Sequence, residues 1–129
     1  MPSWNELSKD SLSAAQELLQ KNRYRSCVSR AYYAVYAAVT WRLLLKGHDQ
    51  FGDNRANPSH EIALTMLQHN LLSQSSPAVS KKVTHAARNV RRGRLIADYE
   101  PGLTIELRDA RDSLRDACFV INQLGETTW

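Results

Sequence analysis

Turn-forming residues are scarce in this chain: five glycines and four prolines among 129 residues leave little material for the tight turns of a β-sandwich or for a disordered linker. No apolar run approaches the roughly 20 residues that cross a bilayer, and the opening MPSWNELSKD lacks a basic stretch followed by an apolar one. The expected location is cytoplasmic, with no membrane contact. Cys27 and Cys118 have no CxxC spacing, so they are expected to be buried free thiols rather than a disulfide or a metal site. A glycine-rich phosphate loop, an HExxH and a glycine-flanked serine are all missing, which removes the commonest nucleotide-hydrolase, metalloprotease and serine-hydrolase signatures. His48, Asp49, Asp53 and His60 match no recognised ligand spacing, so neither a metal nor a cofactor is expected.

What remains is a helix-forming sequence of a length suited to one domain spanning residues 1–129. Ser3 and Glu6 have the spacing of a capping box, and they open a predicted helix over Trp4–Gln20 whose Leu7, Ala14 and Leu18 share a stripe before Asn22 breaks it. From residue 24 to 46, Val28, Ala31, Tyr32, Val35, Val39 and Leu43 recur at three- and four-residue steps until Gly47 stops the helix. Ala34, Ala37 and Ala38 leave one side of it flat, which suits a neighbouring helix of the same chain and a second copy equally well.

Residues 47–58 read as the one long loop, polar and rich in turn formers. Asn57 and Pro58 are expected to open a short third helix that ends near Leu72, with His69 packed at the edge of the core. A fourth helix over residues 78–99 carries Val79, Val83, Ala86, Val90, Gly93 and Ala97 on one stripe. Thr104 is expected to cap a fifth, built on Leu107, Ala110, Leu114, Ala117, Ile121 and Leu124. Five helices without a credible strand predict an all-α, antiparallel up-and-down bundle.

The formal net charge is +4, and its distribution matters more than its size. Between residues 78 and 97 every charged residue is basic: Lys81, Lys82, Arg88, Arg91, Arg92 and Arg94, with His85 among them. Such a helix attracts polyanions, and each cation that meets a phosphate adds to a salt-dependent affinity. The alternative is a solvated face paired with Asp109, Asp112 and Asp116 of the fifth helix.

Two motifs carry a family resemblance. Ser29-Arg30-Ala31-Tyr32-Tyr33-Ala34-Val35-Tyr36 resembles the SRAYYAxF signature on the second helix of HEPN-domain proteins, and Arg94-Leu95-Ile96-Ala97-Asp98-Tyr99 resembles the RxxADY signature that ends their fourth. Pro58-Ser59-His60 is similar to the KxH that opens their third helix. With the order of five helices, the resemblance to the HEPN superfamily covers almost the whole chain. It implies a four-helix up-and-down core with one additional helix, a homodimer, and a gene placed beside a minimal nucleotidyltransferase as a toxin–antitoxin or defence pair.

Ribonuclease members of that superfamily carry an arginine, four to six residues, and then a histidine, paired across the dimer to cut RNA without metal. Here Arg94 matches the arginine, but after four intervening residues comes Tyr99. Histidine, with an ordinary pKa near 6.5, exchanges protons at neutral pH, whereas tyrosine, near 10, stays almost wholly protonated. Arg94 and Tyr99 are therefore expected to clamp a phosphate rather than cleave its ester, with Asp98 holding the guanidinium in place. The superfamily's ribonuclease chemistry makes Arg94, Asp98 and Tyr99 the candidate catalytic residues all the same, and Tyr99 is alternatively the acceptor of a nucleotide group from the partner enzyme. His85 lies roughly 13 Å from Arg94 along the helix, and His60 is expected to cap or pack the third helix. Tyr32, Tyr33 and Tyr36 are expected to bury their rings.

The reading is thus a helical module that binds RNA or a nucleotide through Lys81, Lys82, His85, Arg88, Arg91, Arg92 and Arg30, beside the Arg94–Tyr99 segment. Its rival is a non-catalytic interaction module that docks on a nucleotidyltransferase and helps to seat its substrate. A DNA-binding regulator is disfavoured, because no helix-turn-helix signature is present.

Overall fold

The computed structural model describes residues 3–48, 51 and 57–126. Helix α1 (Trp4–Gln20) opens on the expected capping box: the Ser3 hydroxyl accepts from the Glu6 N–H, and the Glu6 carboxylate accepts from the Ser3 N–H. Asn22, at φ 60°, turns the chain, and α2 (Tyr24–Leu45) follows. Gly47, at φ 97°, ends it in the left-handed conformation that glycine adopts at no steric cost.

Helix α2 is the axis of the molecule, packed against α1 and against the later helices. Val28, Ala31, Tyr32, Ala34, Val35, Ala37, Ala38 and Val39 are all buried, which takes in most of its circumference. The flat alanine side is covered from within the chain. Ser8 donates its hydroxyl to the Ala34 carbonyl at 2.7 Å, with Ser11 and Ala15 buried beside it. That side therefore offers nothing to a second copy, because small residues on both helices have let α1 and α2 close on each other.

Helix α3 (His60–Met66) continues into a π-helical turn (Leu67–Leu71). Ser59 caps it, two residues beyond the expected Asn57, and Pro58 stays outside the helix with its carbonyl accepting from the Tyr36 hydroxyl at 2.5 Å. His69 is exposed rather than packed. The wider π turn shifts the register so that Leu67 and Leu71 take the buried positions.

Helix α4 (Pro77–Tyr99) starts behind the Ser76 cap with proline in its first turn. Helix α5 (Leu107–Glu126) begins three residues after Thr104, which does not cap it; the Asp109 carboxylate instead accepts from the Glu106 N–H at 2.9 Å. A methyl group on Gly93 would meet Ser113 Oγ at 3.1 Å and Val28 Cγ1 at 3.2 Å, so α4 passes close to α2 and α5 at this residue.

Cys27 is buried and Cys118 half-buried, both as free thiols. Among the described residues five helices and no strand form an all-α bundle around one core. No helix there is long and apolar enough to cross a membrane.

Candidate functional site

Arg94, near the end of α4, is held on three sides. Its Nε meets Asp98 Oδ2 at 2.9 Å, one helical turn on. Its guanidinium lies 5.5 Å from the centroid of the Tyr32 ring and 5.3 Å from that of the Tyr99 ring. Asp98 is fixed in turn by the Ser29 hydroxyl, which donates to the same oxygen at 3.2 Å. The spacing argument for Asp98 as the holder of the guanidinium thus matches the structure. The two rings add what spacing could not reveal, a cation between aromatic faces, where each contact is worth about 0.5–1 kcal/mol at a partly exposed position.

Beneath the guanidinium, Tyr32 is only 3% exposed, and its hydroxyl lies 2.6 Å from His60 Nδ1. Burial pushes the Tyr32 phenol up to about 12, although the Arg91 and Arg94 guanidinia pull it back. That phenol stays protonated at neutral pH, and the Tyr32 hydroxyl and His60 Nδ1 share one short hydrogen bond whose donor is set by the His60 tautomer. Tyr36, one turn further along α2, packs its ring 5.0 Å from the His60 ring and is met edge-on by Trp4. His60 packs the start of α3, as expected. No spacing in the sequence indicates that the tyrosine receiving it lies directly under Arg94.

Two further arginines shape the end of α4. Arg91 is half-buried beside Tyr32, and its Nε finds no hydrogen-bond partner among the described residues. Arg25 of α2 was not singled out in the sequence. It donates to the carbonyls of Ala97 at 2.8 Å, Glu100 at 3.3 Å, and Ile96 and Pro101 at 3.4 Å, besides that of Leu103. A cation on the Ala97 carbonyl, in the last turn of α4, closes the helix where its dipole is negative.

The remaining basic residues divide by register. Steps of four and three residues place Lys81, His85, Arg88, Arg92, Leu95 and Tyr99 on one line down α4, all of them exposed. Among the described residues none of the basic side chains on this line forms a salt bridge with α5, although Asp116 lies within electrostatic reach of His85, and Asp112 is paired with Arg115 at 3.1 Å. Arg92 does share a cleft with Asp109, Asp112 and Asp116, at the side of the line rather than on it. Lys82 is exposed but off the line. Arg30 lies over the Tyr33 ring, 5.9 Å from its centroid, and shares a groove with Arg23, Ser29 and Asp98. Of the metal candidates, Asp49 and Asp53 lie outside the described residues.

The family model for the HEPN domain matches residues 1–126. No curated protein matches the chain.

Proposed function

Because this chain belongs to the HEPN domain family, we propose that it binds the phosphate groups of RNA or of a nucleotide along α4 and at Arg94, as a cytoplasmic homodimer. In this reading it is one component of a toxin–antitoxin or defence pair whose other member is a minimal nucleotidyltransferase. One observation carries the binding role: the guanidinia of Arg91 and Arg94 both act on Tyr32, and Asp98 is paired with Arg94 while no salt bridge to Arg91 is found among the described residues. An anion that brings its own negative charge and several acceptor oxygens completes such a group.

Binding is favoured over cleavage, since Tyr99 follows Arg94 where the ribonuclease members carry histidine, and His60 Nδ1 is engaged by Tyr32. The test is RNA binding by fluorescence anisotropy at several salt concentrations, with Arg88→Ala/Arg92→Ala as the variant. Losing two single-strand phosphate contacts should weaken binding and flatten the log–log salt slope by about 1.4. An unchanged slope, or no binding of RNA or ATP by the parent, rejects the reading.

A second reading, a non-catalytic module that docks on the nucleotidyltransferase, is favoured by one feature. Leu103, in the connection that leads to α5, and Leu107, the first residue of α5, are 50% and 39% exposed, where a protein partner would cover them. It predicts no affinity of this chain alone for nucleic acid.

A further inference from the structure

The line of exposed side chains on α4 changes character along its length. Lys81, His85, Arg88 and Arg92 come first, and Leu95 and Tyr99, 39% and 65% exposed, end it. Neighbours three or four residues apart on a helix stand about 5–6 Å from each other, a step comparable with that between successive phosphates of an extended nucleic-acid strand. No carboxylate interrupts the line. At its far end, a flat aromatic face beside a leucine is poorly suited to a phosphate and well suited to a base.

The Tyr99 ring is also set in place. Arg94 covers one face and is itself held by Asp98 and by the ring of Tyr32. With two-thirds of the residue exposed, the face turned away from Arg94 remains available for stacking. A ring fixed from behind loses little conformational freedom when a base stacks on it, which is how stacking platforms for single strands work.

We infer that α4 is the track of a single-stranded oligonucleotide, with one base stacked on Tyr99 and successive phosphates on Arg92, Arg88, His85 and Lys81. The inference rests on the phosphate-binding reading above and narrows it from any RNA or nucleotide to an unpaired strand. From Lys81 to Tyr99 the helix rises about 27 Å, room for about four or five nucleotides. Tyr99 acts through its ring and not through its hydroxyl. A duplex, whose base faces are stacked internally, reaches only the cations.

The experiment measures anisotropy of fluorescein-labelled oligoadenylates of one, two, five and eight nucleotides, and of the eight-mer paired with its complement. The protein is used as the parent, Tyr99→Phe and Tyr99→Leu, with thermal melts to establish that the variants fold. Affinity should climb to about five nucleotides and then level, and the duplex should bind at least tenfold more weakly. Tyr99→Phe should bind within twofold of the parent, while Tyr99→Leu should lose about ten- to a hundredfold, as for one stacked base. Equal binding of duplex and strand, or a Tyr99→Leu variant that binds like the parent, overturns the track. If Arg88→Ala/Arg92→Ala still weakens binding in that case, the phosphate reading survives. A parent that binds none of the probes overturns both.

Discussion

The Arg25 guanidinium donates to the Ala97 carbonyl at 2.8 Å, so that a residue from the first turn of α2 terminates α4. The Ile96 and Ala97 carbonyls share this cation at the negative end of the helix dipole, next to the segment that carries Asp98 and Tyr99. Arg25→Ala leaves them to water. The expected cost is about 1.5–3 kcal/mol, the range for hydrogen bonds to a charged group. Hydrogen exchange should localise the loss, with amides of residues 96–103 exchanging faster than those at the start of α4.

Asp98→Asn and Arg94→Lys should separate stability from binding. The Arg94–Asp98 pair is partly exposed, with side chains 20% and 30% accessible, and pairs of this kind contribute at most about 1 kcal/mol. Melting temperatures should therefore move by only a few degrees. RNA affinity should fall severalfold in Arg94→Lys, which keeps the charge but loses the planar group between Tyr32 and Tyr99. Equal affinities in parent and variant would remove Arg94 from the site.

Gly93→Ala is expected to destabilise the bundle. Alanine gains about 1 kcal/mol in helix propensity, but the new methyl would stand 3.2 Å from Val28 Cγ1, on a fully packed face of α2. Overpacking of this kind costs about 1–3 kcal/mol. The Ser113 hydroxyl can rotate away, whereas Val28 cannot, so a net loss of about 1 kcal/mol in a denaturant titration is the expected outcome. Adding Val28→Ala should make the Gly93→Ala change less costly than it is in the parent, which a double-mutant cycle measures directly.

Stability should fall on the alkaline side in a defined window. Burial raises the folded-state value of Tyr32 from 10.0 to about 12. Its contribution is therefore complete below pH 10 and disappears as the pH rises through 12, because the unfolded chain loses that proton first. Two units correspond to about 2–3 kcal/mol. Burial lifts Cys27 likewise, from 9.0 to about 11, so the decline starts near pH 9. In Tyr32→Phe the slope between pH 10 and 12 should flatten, whatever the variant's stability at neutral pH. A slope identical to the parent's would mean that Tyr32 does not titrate with unfolding.

Helices were legible wherever the signal was local. The Ser3–Glu6 box, the Gly47 stop and the apolar stripes of α2 and most of α4 depend on residues a turn apart, and the structure follows them. Helix α1, however, buries Ser8, Ser11 and Ala15 rather than Leu7, Ala14 and Leu18, and Val79 of α4 is exposed. His69 and the start of α5 were misread, because a π turn and the Asp109 side chain alter register and capping in ways that periodicity does not carry. In the site, Arg94 with Asp98 was readable as an i, i+4 pair. The Tyr32–His60 contact and the Arg25 clasp join residues 28 and 72 positions apart, and no spacing rule reaches that far. The basic residues were visible as a group. Their division into an outer line and an inner pair required knowing which side of α4 faces Tyr32.

The tyrosines of α2 also bear on how freely the chain can vary. Tyr36 holds the Pro58 carbonyl and Tyr32 holds His60, so the start of α3 is tethered to α2 independently of the stretch that leads to it. Losing one of these tethers should therefore leave α3 held by the other: Tyr36→Phe, which removes a single hydroxyl, should cost about 0.5–1.5 kcal/mol, the net worth of one hydrogen bond, and leave α4 untouched.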